Sequence, residues 1–296
     1  MNSKKIVYFG TPDFSSQILE ALIKDPKINV VAVVTQPDKP QGRKNILTAS
    51  AVAQLATQYK LPVFKPSKLD QSNLQHIKLL QPDLFLVAAY GQIIPPSWLD
   101  TPQEATLNIH FSLLPKYRGA LCVSEAIKNQ DTETGVTLMV MDQQLDHGPI
   151  ITQLKTLITT QDNVATLTQK LTSLAISLIP NLVSLKADDK QATPQDHTQA
   201  TFTPSLKTRT RQSAFIPSSK IYPPKQTNHL DKLHALIRSL NPNPGAWTNI
   251  NGQEIKLIET KLEKNKLTIT KVQLPGKNPI SWSQFLTGHQ IKQKPA

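Results

Sequence analysis

The stretch Lys5-Ile6-Val7-Tyr8-Phe9-Gly10-Thr11-Pro12-Asp13 decides the fold class. Ile6 to Phe9 is a continuous apolar run with no polar alternation, which is how a strand buried on both faces reads. Gly10 ends the run and an amphipathic helix is predicted to start near Asp13. Further strands are expected at Asn29–Thr35, Leu61–Phe64, Asp83–Ala89, Thr106–His110 and Gly135–Met141, most of them similarly apolar. Helical stretches separate several of them, one ending near Tyr59, and a long helix is expected over Asn163–Leu185. Strands alternating with helices imply a mostly parallel, Rossmann-like α/β sheet covered on both faces. Residues 36–50, with Pro37, Pro40, Gly42, Arg43 and Lys44, read as a polar loop.

Composition changes after this region. Lys186 to about Pro204 is polar and reads as a linker, and Thr208–Thr227 resembles a second one. Leu230–Leu240 then has a helical pattern, stopped by Asn241-Pro242-Asn243-Pro244-Gly245. Short strands are expected at Trp247–Ile250, Glu254–Glu259 and Lys266–Val272, with Asn251-Gly252 as a hairpin turn. The expected organisation is a catalytic α/β domain over 1–188, a linker over 189–208 and a small β-rich unit over 209–296. Residues 1–190 hold 18 Lys+Arg and 16 Asp+Glu, a net of +2, whereas residues 191–296 hold 15 and 5, a net of +10. A nearly neutral body joined to a small basic unit suggests an enzyme with an appendage for a polyanion. The single cysteine, Cys122, excludes an internal disulfide and fits a reducing cytoplasm. No run approaches the roughly 20 apolar residues of a membrane span. The seven histidines show no metal-ligand spacing, so no metal is expected. Gly10 belongs to neither GxGxxG nor GxxxxGK[ST], which argues against a nucleotide cofactor.

Three residues carry candidate chemistry. Asn108 and His110 lie two apart at the end of a predicted strand and so share a face. In open α/β sheets the carboxyl ends of strands border the ligand crevice. Asp146 follows the strand Gly135–Met141, in Leu145-Asp146-His147-Gly148. An Asn amide is a neutral donor for a developing oxyanion. A His can donate to the same oxygen or shuttle a proton, and an Asp can orient the imidazole and favour its charged form. Such a set serves transfer of a carbonyl-bearing group to an amine, which attacks directly and needs no nucleophilic Ser or Cys.

The chain resembles the folate-dependent formyltransferase family along nearly its whole length. The resemblance rests on Phe9-Gly10-Thr11-Pro12-Asp13-Phe14, Thr35-Gln36-Pro37-Asp38-Lys39-Pro40 with Gly42-Arg43, and Ala89-Tyr90-Gly91 with Ile94-Pro95. It continues through Asn108-Ile109-His110, Ser112-Leu113-Leu114-Pro115, Arg118-Gly119-Ala120, Glu133-Thr134-Gly135-Val136-Thr137 and Leu145-Asp146-His147-Gly148. In the tail it includes Leu240-Asn241-Pro242, Pro244-Gly245-Ala246 and Pro275-Gly276-Lys277. The resemblance implies transfer of a formyl group from 10-formyltetrahydrofolate, as co-substrate, to an amine. The opening motif, the loop after the second strand and the tail point to the methionyl group of initiator tRNA, for translation initiation. It further implies Asn108, His110 and Asp146 as the catalytic trio. Ser112, Leu113, Leu114 and Pro115 would line the folate site, together with backbone around Tyr90 and Gly91 and around Met141–Leu145. Arg43 and Lys44 would meet tRNA, and the tail would be an oligonucleotide-binding-type barrel, trimmed of about two strands, gripping phosphates. The protein is expected to act as a cytoplasmic monomer.

Several positions depart from the family's pattern. Phe111 stands where a small residue or Pro is usual, and a large ring there is expected to narrow the site. Leu121-Cys122-Val123 replaces the usual Ala-Pro-Ile. The alternatives are a formyltransferase for a small amine, such as an amino sugar nucleotide or glycinamide ribonucleotide, and a silent tRNA-binding relative. The basic tail argues against the first and the intact trio against the second.

Overall fold

A computed structural model describes residues 3–42, 44–184, 192–221, 229–264 and 266–288. Strand β1 (Lys4–Gly10) leads through helix α1 (Asp13–Lys24) into β2 (Ile28–Val34). The region read as a polar loop contains a small antiparallel hairpin, β3 (Lys39–Gln41) and β4 (Ile46–Thr48). Its strands are three residues each and mostly exposed, so they lack the buried alternation that reveals a strand in sequence. Then come α2 (Ala51–Gln58), β5 (Val63–Phe64), α3 (Gln71–Lys78), β6 (Leu84–Ala88), α4 (Pro96–Leu99) and β7 (Ala105–His110). Helix α5 (Cys122–Lys128) precedes β8 (Glu133–Val140), and β9 (Ile150–Leu157) precedes α6 (Val164–Ser177) and α7 (Ile179–Ser184). The expected single helix over Asn163–Leu185 is therefore two, with the break just before Pro180, whose ring cannot continue a helix. Residue 185 lies outside the described residues.

The main sheet has seven strands in the order β5-β2-β1-β6-β7-β8-β9. β5, β2, β1, β6 and β7 run parallel, and β8 turns antiparallel to β7. Chain order runs outward in opposite directions from β1 and β6, so the topological switch lies between them. Phe9, Phe85, Tyr90 and Trp98 form one side of the core, with ring centroids 5.0–6.1 Å from Phe9. Each fully buried apolar side chain of this size contributes about 1.5–3 kcal/mol. Gly10 lets the chain turn tightly from β1 into α1. A Cβ there would collide with Ser15 Oγ, the atom that donates to the Ala88 carbonyl (2.8 Å) and ties α1 to β6.

The chain divides into two compact units, neither contiguous in sequence. The first comprises Met1–Gly119, Gly135–Thr156 and Thr168–Phe202, and the second Ala120–Thr134, Leu157–Leu167 and Thr203–Ala296. In the second unit α8 (Leu230–Leu240) packs on α5 and on the sheet strand β11 (Gln253–Glu263). That sheet is antiparallel in the order β10-β11-β12-β13, with β10 Trp247–Ile250, β12 Lys266–Gln273 and β13 Ile280–Ser281, followed by α9 (Trp282–Gly288). Ile237, Leu240, Ile255, Leu257, Val272 and Phe285 form its core. Asn251 (φ +52°) and Gly252 (φ +80°) make the predicted turn, both left-handed as a two-residue primed turn requires. Among the described residues no helix is long and apolar enough to cross a membrane.

Candidate active site

The site lies at the carboxyl ends of β6 and β7, beside the middle of the antiparallel β8. Asn108 and His110 project from β7, whose register sets Asn108 opposite Met139 and His110 opposite Thr137 of β8. Both are buried, Asn108 to 9% and His110 to 7% exposure. The loop after β8 brings Asp146 back to them. Asn108 Nδ2 donates to Asp146 Oδ1 at 3.2 Å, and the Gly119 amide donates to Oδ2 at 2.7 Å. His110 Nδ1 stands 3.6 Å from the same Oδ2. On the other side of the ring, Nε2 lies 2.9 Å from the Tyr117 carbonyl. A carbonyl oxygen only accepts, so Nε2 carries a hydrogen and donates it. In the neutral ring the free lone pair therefore sits on Nδ1, on the side of the Asp146 carboxylate.

Asp146 adopts φ +48°, a left-handed conformation uncommon outside glycine. Gly148, two residues on, passes so close to the Val140 carbonyl that a Cβ would collide with it. The loop thus returns tightly against the end of β8, which is what carries the carboxylate over β7.

Ser112 to Pro115 continue directly from β7 into a turn pinned by β8 and β9. Thr137 Oγ1 donates to the Ser112 carbonyl (2.6 Å) and accepts from the Leu114 amide (3.2 Å). Gln153 Nε2 donates to the Leu114 carbonyl (2.9 Å) and to Thr137 Oγ1 (2.8 Å). Ser112 Oγ closes the turn on the Lys116 carbonyl at 2.6 Å, and the Leu114–Pro115 peptide is cis. Tyr90 and Gly91 sit on the loop after β6, at the switch point. The Tyr90 ring turns into the core against Phe9, and burial pushes its hydroxyl pKa up to about 12. Its carbonyl accepts from Thr11 (2.8 Å) and Gln36 (3.3 Å), tying together the loops after β1, β2 and β6. What this loop offers a ligand is therefore exposed backbone at Ala89 and Gly91 and not the phenol. The Phe111 ring is 6% exposed and packs on Phe14 with centroids 5.0 Å apart. The ring is therefore part of the buried core. Lys44 is exposed in the turn of the β3–β4 hairpin, and Arg43 lies outside the described residues.

The sequence model described as "Formyl transferase" matches residues 4–183, and that described as "Formyl transferase, C-terminal domain" matches residues 227–268. The chain belongs to the formyl transferase family. A methionyl-tRNA formyltransferase of Staphylococcus epidermidis is 35% identical over 312 residues, spanning 97% of this chain and 96% of that protein. One from Staphylococcus aureus is 40% identical over 266 residues, covering 89% and 81%. Among solved structures, the fold is similar to that of a sugar 3N-formyl transferase, WlaRD (20% identity, TM-score 0.62, 89% of this chain and 88% of that one). A phosphoribosylglycinamide formyltransferase of Bacillus halodurans matches at 25% identity and TM-score 0.52, over 64% of this chain and 99% of that one.

Several polar partners of this candidate site escape sequence reasoning. Thr137 is a lone hydroxyl in an otherwise apolar run, and Gln153 lies in a strand that shows no clear period. Gln195 donates from Nε2 to the carbonyls of Asp146 (2.9 Å) and Gly148 (2.7 Å), yet it sits in a stretch that reads as linker. Arg118 was visible as part of a motif, but its partners Gln195 and His197 lie nearly 80 residues away in sequence.

Proposed function

We propose that this chain transfers the formyl group of 10-formyltetrahydrofolate to the free amine of the methionyl residue on initiator tRNA, in the cytoplasm, acting as a monomer. The observation that carries the reading is the Asp146 carboxylate, held by Asn108 and the Gly119 amide with one oxygen facing His110 Nδ1. The names of the relatives aligned over most of the chain support the substrate.

In this reading His110 Nδ1 accepts a proton from the attacking amine while Asp146 stabilises the imidazolium. As the amine adds to the formyl carbon, Asn108 Nδ2 donates to the oxygen that takes up negative charge. A single donor of this kind is worth about 3–4 kcal/mol of barrier. His110 then returns its proton to the departing folate nitrogen as the carbon–nitrogen bond breaks. The pinned turn Ser112–Pro115 and the exposed backbone at Ala89–Gly91 line the folate, fixing the formyl carbon beside Asn108. Ile93 and Leu145, 90% and 60% exposed on the loops after β6 and β8, give apolar cover for a flat ring.

Lys44 on the hairpin, with Arg43, contacts the acceptor end. Lys266 and Lys271 of β12, with Lys264 in the turn before it and Lys261 of β11 paired to Glu263, give an exposed basic surface for phosphates. That surface favours tRNA over a small amine, which needs no such area.

The test is formylation with 10-formyltetrahydrofolate and methionine-charged initiator tRNA, against elongator tRNA and free methionine. Product on the initiator alone is expected. Equal product with a small amine would replace the tRNA reading. Asp146→Asn is expected to lower turnover by about a hundredfold or more with tRNA affinity unchanged, and full turnover in that variant would remove Asp146 from the mechanism.

A further inference from the structure

Residues 192–202 form a strap across the back of the site. Thr193 pairs with Ile150 at the start of β9 through both backbone bonds (2.8 and 2.7 Å). At the other end, the Arg118 amide donates to the Thr201 carbonyl (2.8 Å) and the Tyr117 amide to Thr201 Oγ1 (2.8 Å). Between these anchors Gln195 points inward, 6% exposed.

Its carboxamide is saturated by the site. Nε2 gives its two hydrogens to the carbonyls of Asp146 and Gly148, and Oε1 accepts from Arg118 at 2.7 Å. Arg118 is itself buried and reaches His197 Nδ1 with the same nitrogen at 2.9 Å. One primary amide thus grips the Asp146–His147 and Gly148–Pro149 peptides, in a loop where Asp146 has a left-handed φ. An Asp in that conformation is held by its surroundings and not by its own preference. The Asp146 side chain leaves the backbone one bond from the carbonyl that Gln195 holds. Rotating that peptide would swing the carboxylate relative to Asn108 and His110.

We propose that Gln195 is a positioning residue for formyl transfer: its amide sets the Asp146 peptide and so aims the carboxylate at His110. Arg118 fixes the orientation of the amide, since the guanidinium can face only the oxygen end. The proposal rests on the role assigned to Asp146 above.

Gln195→Glu isolates the effect. A carboxylate keeps the acceptor for Arg118, so the strap stays anchored, but it removes both donors to the loop. Turnover is expected to fall about tenfold to a hundredfold, since an ångström of misplacement at a reacting centre costs that much. The KM values for 10-formyltetrahydrofolate and methionyl-tRNA should stay within about threefold, as for an interaction realised only in the transition state. The midpoint of the pH–rate profile should move, because the His110–Asp146 geometry changes. Asp196→Ala loosens the strap next door by removing the cap on Thr198 (3.0 Å) without touching the Asp146 loop. It should leave turnover within about twofold, the range of an ordinary surface change. Wild-type turnover and pH profile in Gln195→Glu, beside an inactive Asp146→Asn, would overturn the proposal and leave the mechanism standing. Equal losses in Gln195→Glu and Asp196→Ala, tracking a drop in melting temperature, would reduce the strap to a structural clamp and also overturn it. An active Asp146→Asn would remove both.

Discussion

At the residue scale, two buried polar side chains make separate predictions. Thr137 satisfies three groups with one hydroxyl, those of Ser112, Leu114 and Gln153. Thr137→Val leaves the Leu114 amide and Ser112 carbonyl without that partner inside the fold. A loss of about 1–3 kcal/mol in denaturant unfolding is expected, together with a raised KM for 10-formyltetrahydrofolate. An unchanged KM would show that the turn holds its shape without the hydroxyl. His234, in the second unit, is buried against Thr260 (2.8 Å from Nδ1) and the Thr160 carbonyl (3.1 Å from Nε2). Burial first, and the Arg238 charge second, lower its pKa below the ordinary 6.5. The unfolded chain then binds the proton more readily than the folded one, so stability is fully present above about pH 6.5 and falls as pH drops towards the depressed folded value. Melting curves at pH 7.5 and 5.5 should show a larger acid loss in wild type than in His234→Gln, and equal losses would mean that another group dominates.

At the element scale, the β3–β4 hairpin is the informative case. Ile46 and Leu47 are 61% and 67% exposed, so they contribute little to stability. Replacing both with Ser should change unfolding free energy by less than about 0.5 kcal/mol. If the hairpin meets the acceptor end, the same change should raise the KM for methionyl-tRNA while leaving that for folate alone. A KM shift for folate instead would place the hairpin at the other substrate. α8 offers a contrast. Its last turn is held by Arg209, whose guanidinium donates to the Ser239 carbonyl (2.7 Å) and to that of Asn243 (2.8 Å from Nε). A cation at a helix carboxyl end is favoured by the orphan carbonyls there.

At the scale of the whole molecule, charge separation is the main lever. The exposed lysines of β11 and β12 cluster on the outward face because the inward positions, such as Leu257, Leu267 and Ile269, are core. Replacing Lys264, Lys266 and Lys271 with Gln should weaken tRNA binding most at low salt. It should lower the slope of log affinity against log salt by about 2, since fewer phosphates are then neutralised and fewer counterions released. An unchanged slope would move the tRNA surface elsewhere.

Most of the fold was legible from hydrophobic pattern, because β1, β2, β6 and β8 are largely buried and read as mostly apolar runs, while apolar and polar residues alternate in β7. β9 was missed: Ile150–Leu157 is only half-buried and includes Gln153 and Lys155, so no period stands out. The order of Asn108 and His110 on β7 determined that they share a face, since that needs only strand periodicity. The chain by itself also determined the charge asymmetry and the α8 boundaries, the latter through the Pro-rich stop. Tertiary structure decided what no local signal encodes: that Asp146 returns over β7, that Phe111 turns into the core, and that α5 joins the second unit. It also decided that a polar stretch resembling a linker carries Gln195 into the back of the site. The physical reason is that these depend on hydrogen bonds and packing contacts between residues tens of positions apart, whose partners are chosen by the path of the backbone and leave no period in the sequence.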